Sequence, residues 1–216
     1  MISISEAKII QEKLSSKVSL KPSYSSLKQV KTIAGCDVSY RDNTAIATAI
    51  LFSFPELEII EKIKIDKSAK EIFPYIPEYF SFREGPLLIE CLKKLKNLPD
   101  VTIFDGHGIA HPRRMGIATY VGISLDISTI GCAKNLLYGN YEEPPPGVKG
   151  AYNFLRDEYG EIIGIVLRTK EFVRPVFVSP GHKMDIEISG DIILACCKKY
   201  RIPEPLRIAH KIGISF

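Results

Sequence analysis

The stretch from Ile33 to Asp66 restricts the fold most. Three β-rich runs follow one another there, IAGCDVSY, AIATAILFSF and LEIIEKIKID, separated by short polar breaks at Arg41-Asp42-Asn43 and Pro55-Glu56. Breaks this short join neighbours, so the runs predict an antiparallel meander. The pattern then changes. Pro86 suits the first turn of a helix carrying Leu88, Leu92 and Leu95, which Asn97 and Pro99 stop before the continuous apolar run VTIF at 101–104. Such a run reads as a buried parallel strand, and this one ends in Asp105-Gly106, where a strand end opens onto a site. HPRRMGIATYVGISLD reads as a helix. DISTIGCAK, EIIGIVLRT and VRPVFVSP read as strands, DIEISGDIILACCKKY as a helix, and IPEPLRIAHKI as a last short helix started by Pro205. Upstream, Ser3 and Glu6 stand at capping-box spacing before Ile9, Ile10 and Leu14, which predicts an amphipathic helix over 4–16. Residues 139–150, GNYEEPPPGVKG, are too short to link domains and read as a surface loop. The chain as a whole, 1–216, is therefore expected to form one α/β domain, a mixed sheet flanked by helices.

With 216 residues, 45% hydrophobic and 25% charged, the chain buries enough surface to need no disulfide or structural metal. Its five cysteines are odd in number, lack CxxC spacing and lie mostly in apolar stretches, which predicts reduced thiols and a cytoplasmic protein. No run approaches the roughly 18 apolar residues of a membrane span, and acids stand where a signal peptide would be apolar. No membrane partner is expected. The net charge of +4 permits a polyanionic partner without requiring one.

Three acids stand out by context: Asp37 inside IAGCDVSY, Glu84 in SFREGP, and Asp105 at the end of VTIFD. A carboxylate among apolar residues must be paired or desolvated, and neither Asp37 nor Asp105 has a basic neighbour in adjacent positions. Either each acid caps a turn or meets a distant Lys or Arg, or the three share a cation. If the first strand and the 101–105 strand are neighbours, Asp37 and Asp105 can project at one end with Glu84 entering from the helix start, and such oxygen ligands suit Mg²⁺ or Mn²⁺ better than zinc. Gly106 and Gly108 beside His107 allow close approach of backbone to a ligand. His182, behind Ser179-Pro180-Gly181, could face the same site and bind metal, orient water or assist a leaving oxygen. Lys134 could meet a phosphate as a point charge. In Pro74-Tyr75-Ile76-Pro77 the prolines leave Tyr75 and Ile76 little freedom to lose, as a wedge between stacked bases requires; packing into the core is the other reading. Arg83, Arg113 and Arg114 lie near these elements and could read phosphates.

The segments AGCDVSY, PYIPEYFSFREGP, DGHGIAHPRRMGIATYVG, GCAKNLLYG and VSPGH, in this order and spacing, resemble the endonuclease V family of deoxyinosine 3′-endonucleases. The likeness runs from the first strand to RIPEPLRIAH. It implies a ribonuclease H-like fold, a monomer, and a Mg²⁺-dependent nick, with Mn²⁺ as a substitute, at the second phosphodiester bond 3′ to a deaminated purine. By motif, the resemblance puts Asp37, Glu84 and Asp105 on the metal-holding carboxylates, His182 on the site histidine and Lys134 near the cut phosphate. Tyr75, Ile76 and Pro77 fall on the strand-separating wedge. Gly106, His111, Ile117 and Leu137 fall around the pocket for a flipped hypoxanthine. Two positions depart from the family pattern: Glu78 stands where glycine is usual, and Tyr120 where histidine is. Three functions fit: a DNA repair endonuclease on deoxyinosine, an endoribonuclease on inosine RNA, and a non-cleaving binder of deaminated bases, for which Glu78 is the sole support.

Overall fold

The computed structural model describes residues 2–215, so the ends of the chain, Met1 and Phe216, lie outside the description. The expected meander forms as β1 (Thr32–Arg41), β2 (Thr44–Ser53) and β3 (Ile59–Ser68), each antiparallel to the next. β4 (Val101–Phe104) lies parallel to β1, and β5 (Thr129–Ala133) parallel to β4. Beyond them β8 (Val176–His182), β7 (Ile162–Leu167) and β6 (Tyr152–Arg156) continue antiparallel, giving one eight-stranded sheet in the order β3-β2-β1-β4-β5-β8-β7-β6.

Helices cover both faces. α2 (Phe80–Lys93) and α3 (Ile117–Leu125) bury Leu88, Leu92, Ile117 and Val121 against Ala34, Cys36, Ala47 and Ala49. α4 (Ile186–Cys196) and α5 (Glu204–Ile214) lie on the other face, where Ile192, Ile193 and Leu206 meet Ile33, Ile103, Ile130 and Val178. Small residues on β1 and β2 let the α2 face close. Gly35 does the same for α5: a Cβ there would stand 2.2 Å from the carbonyl oxygen of Pro205. α1 (Ile4–Ser15) forms as expected, with Ser3 and Glu6 exchanging both capping-box hydrogen bonds.

Three elements differ from the sequence expectation. α2 begins at Phe80 and carries Pro86 in its interior, so Glu84 sits within the helix instead of before it. The lost backbone hydrogen bond at Pro86 costs about 3 kcal/mol. Burial of Phe82 against Phe73, Tyr79 and Tyr120 and of Leu87 in the core offsets it. Residues 111–116 stay outside α3, which Gly116 precedes as N-cap. β6 was not foreseen at all, because only Leu155 is buried on this edge strand and no apolar alternation marks it.

Candidate active site

Register places the acids. Cys36 and Phe104 are the last aligned pair of β1 and β4, so Asp37, midway along β1, and Asp105, the first residue past the end of β4, come next, side by side on two parallel strands. Alternation along β1 turns Cys36 toward α2 and Asp37 toward α5. Asp37 is buried, and its Oδ2 accepts from Ser39 Oγ at 3.1 Å and lies 2.9 Å from Nδ1 of His210. Glu84 enters from the second turn of α2, also buried, and accepts from the Tyr40 hydroxyl at 3.0 Å. Asp105 is partly exposed and paired with Lys134, whose own carbonyl is held by Arg201 Nη2 at 2.9 Å.

The electrostatics are those of a site short of positive charge. Burial, and then the nearby Asp37 and Asp105, push the Glu84 carboxyl up to about 8. Burial also raises Asp105, with Lys134 opposing. Burial and the adjoining Glu84 raise the Tyr40 phenol. Among the described residues no three His, Cys, Asp or Glu side chains already stand at metal-holding spacing; Asp105 is turned to Lys134 and Asp37 to His210. The donor set, three carboxylates and one imidazole on neighbouring elements, fits a hard divalent cation.

A cavity of about 360 Å³ adjoins the acids. Asp105, Lys134, the Tyr75-Ile76-Pro77-Glu78 stretch, Gly106, His111, Ile117 and Leu137 are among its lining residues. Gly106 is required here, since a Cβ would come within 2.6 Å of Ile117 Cγ2. Tyr75 is 68% exposed, so this loop does not pack its tyrosine into the core. Arg83 is drawn away from solvent: it donates to the Phe73 carbonyl at 2.7 Å and lies over the Tyr40 ring, bracing the residue that bonds Glu84. Tyr120 packs on Phe82 and Gly85 behind α2 and does not line the cavity.

Glu78 has a left-handed backbone, φ 68°, which costs a side-chain-bearing residue roughly 1–3 kcal/mol. Its carboxylate is matched by Arg113 at 2.9 Å. His111 is buried, with Nε2 2.8 Å from the Glu78 carbonyl and Nδ1 accepting from the Arg113 amide. One donor and one acceptor describe a neutral imidazole, and burial depresses His111 to about 4. A histidine held below its unfolded value contributes stability above pH 6.5 that is lost as pH falls toward 4, by up to roughly 3 kcal/mol. Thermal melts of the protein and of His111→Gln from pH 7 to 4 should therefore converge on acidification.

His182 does not join the acids. β8 runs antiparallel to β5, so its last residue pairs with Thr129 at the start of β5, the end of the sheet opposite Asp105. There His182 Nδ1 accepts from the Ser19 amide and Nε2 faces Asp126 at 3.2 Å. The imidazole at the acids is His210, which sequence reasoning missed. The available signal was RIPEPLRIAH: Leu206, Ala209 and Gly213 mark the buried stripe of α5, and His210 borders it.

A mixed sheet with helices on both faces, acids side by side on its neighbouring parallel strands and a cavity beside them form an α/β domain of the ribonuclease H-like class. The endonuclease V family model matches residues 12–211. Endonuclease V of Dictyoglomus turgidum is 46% identical over 202 residues, 93% of this chain and 85% of that protein. The crystal structure of endonuclease V from Streptomyces avermitilis superposes with a TM-score of 0.91 at 33% identity, covering 99% of this chain and 92% of that one. That of Ciona intestinalis endonuclease V with a DNA 24mer containing an inosine followed by a ribo-adenosine gives 0.82 at 31% identity, covering 97% and 95%. The chain belongs to the endonuclease V family. Among the described residues no helix is long and apolar enough to cross a membrane.

Proposed function

We propose that this protein, acting as a cytoplasmic monomer, recognises deoxyinosine in DNA and hydrolyses the second phosphodiester bond on its 3′ side, leaving a 3′-hydroxyl and a 5′-phosphate. The observation that carries this reading is the meeting of Asp37, Glu84 and Asp105 beside a base-sized cavity walled by the Tyr75-Ile76-Pro77 loop. Asp37, Glu84 and Asp105 hold Mg²⁺, or Mn²⁺ in its place. Held there, such an ion would supply charge neutralisation at the scissile phosphate and would acidify the attacking water. Lys134 leaves Asp105 for the phosphate next to the cut. His210, half exposed and with Nδ1 fixed by Asp37, orients water or protonates the leaving oxygen. Tyr75 and its proline neighbours enter the stack, and the extruded hypoxanthine lies between Gly106, Ile117 and Leu137.

The inosine in the DNA bound by the Ciona relative supports the choice of base, and the ribo-adenosine after it favours a second reading, cleavage of inosine RNA. Glu78 gives no help to a non-cleaving binder, because Arg113 already neutralises its charge. The test is cleavage of matched DNA and RNA strands with one inosine, in Mg²⁺, Ca²⁺ or chelator. Nicking of inosine DNA in Mg²⁺ alone is expected; no nicking there overturns the proposal. Tyr75→Ala should weaken binding to inosine duplex about tenfold in a metal-free mobility shift, the usual worth of one base–aromatic stack.

A further inference from the structure

We infer that Gln11 of α1 is a positioning residue for the Tyr75-Ile76-Pro77 loop, so that the N-terminal helix serves as the brace of the strand-separating wedge. The inference rests on the wedge reading proposed above, and Gln11 itself lies just outside the stretch matched by the family model. α1 is a largely exposed helix whose buried residues are Ala7 and Gln11. Gln11 is 0% exposed, an unusual place for an amide unless both its ends are bonded. They are. Nε2 donates to the carbonyl of Glu78 at 2.8 Å, and Oε1 accepts from Nε of Arg113 at 2.5 Å.

Arg113 closes the ring by pairing its Nη1 with the Glu78 carboxylate at 2.9 Å, while its guanidinium lies over the Tyr79 ring. The Glu78 carbonyl also meets His111 Nε2 at 2.8 Å. Three side chains, Gln11, His111 and Arg113, thus fix the residue directly after Pro77, in a left-handed conformation it would otherwise leave. Ala7 and Ile10 of α1 pack in the same cluster as Ile76, Phe73 and Phe82. Apolar contact of that kind holds the helix near the loop without setting the loop's angle. The directional hydrogen bonds of Gln11 set it. A wedge pushed into stacked bases feels a reaction force, and a loop free to rock at Glu78 would yield to it.

The experiment compares steady-state cleavage of inosine in duplex DNA, where strands must be parted, with cleavage of the same strand alone, where they need not be. Gln11→Leu, which keeps volume and loses both bonds, should lower kcat/KM on the duplex roughly tenfold, mainly through KM, and leave the single strand within about twofold. Arg113→Lys, which breaks the ring from the other side, should give the same duplex-selective loss. Gln11→Glu, which keeps the acceptor for Arg113, should fall between. Equal losses on both substrates mean a merely structural residue and overturn the inference. Tyr75→Ala separates the two layers. If it shows a duplex-selective loss and the Gln11 and Arg113 variants do not, the brace alone is wrong; if it shows none, the wedge reading falls and the brace with it.

Discussion

Asp37→Asn is expected to lower cleavage of inosine DNA by about a thousandfold or more, with lesion binding retained. The side chain keeps its shape and its contacts with Ser39 and His210, and loses only the charge. A metal-neutralised phosphate is worth several kcal/mol at the transition state, and each 1.36 kcal/mol is tenfold in rate. The cavity that takes the base is not lined by Asp37, so affinity for inosine duplex in the absence of metal should change little. Wild-type rates in single-turnover assays of Asp37→Asn would refute the assignment of the acids. A variant that no longer binds the lesion would instead place Asp37 in recognition.

Glu84→Gln should do the opposite to stability of what it does to activity. Glu84 is 5% exposed and titrates near 8 in the folded chain, above the 4.5 of an unperturbed glutamate. A carboxyl raised on folding favours the native state below pH 4.5 and weighs against it increasingly as pH rises to 8. At pH 7 the penalty is about 3 kcal/mol, from the shift at 1.36 kcal/mol per unit. Gln cannot ionise and still accepts from the Tyr40 hydroxyl, so the metal-free variant should melt several degrees higher at pH 7–8 and differ little near pH 4. Its nuclease activity should be lost. Calorimetry across that range decides the matter, and a variant no more stable than the parent at pH 8 would show that burial does not raise the Glu84 carboxyl. His111 has the reverse dependence, so the total profile mixes the two and only variant differences isolate each.

The acids were legible because each breaks a local rule. Asp37 interrupts a strand of buried residues and Asp105 closes a continuous apolar run, and a chain keeps such groups where something outside the sequence compensates them. The parallel pairing of β1 with β4 is what brings them together. His182 misled because a strand has two ends. Ser-Pro-Gly-His marks a strand terminus without saying which edge of the sheet it reaches, and that depends on the antiparallel β8 pairing with β5, a long-range contact. His210 hid for the contrary reason: on an amphipathic helix a half-exposed histidine breaks no rule. The start of α2 was misplaced because Pro86 is a strong local signal that aromatic packing around Phe82 overrides.

The close seat of α5 on Gly35 bears on the order in which the molecule becomes competent. Every residue lining the base cavity belongs to the chain before position 138, whereas His210 arrives on the last helix described. The contact between residues 37 and 210 closes a long loop, at an entropic cost that local contacts do not carry. On the reading proposed here, a chain whose final helix is undocked, newly made or thermally frayed, can hold a lesion without nicking it. On that reading, loss of α5 docking would leave a silent occupant of damaged DNA in place of a cutter.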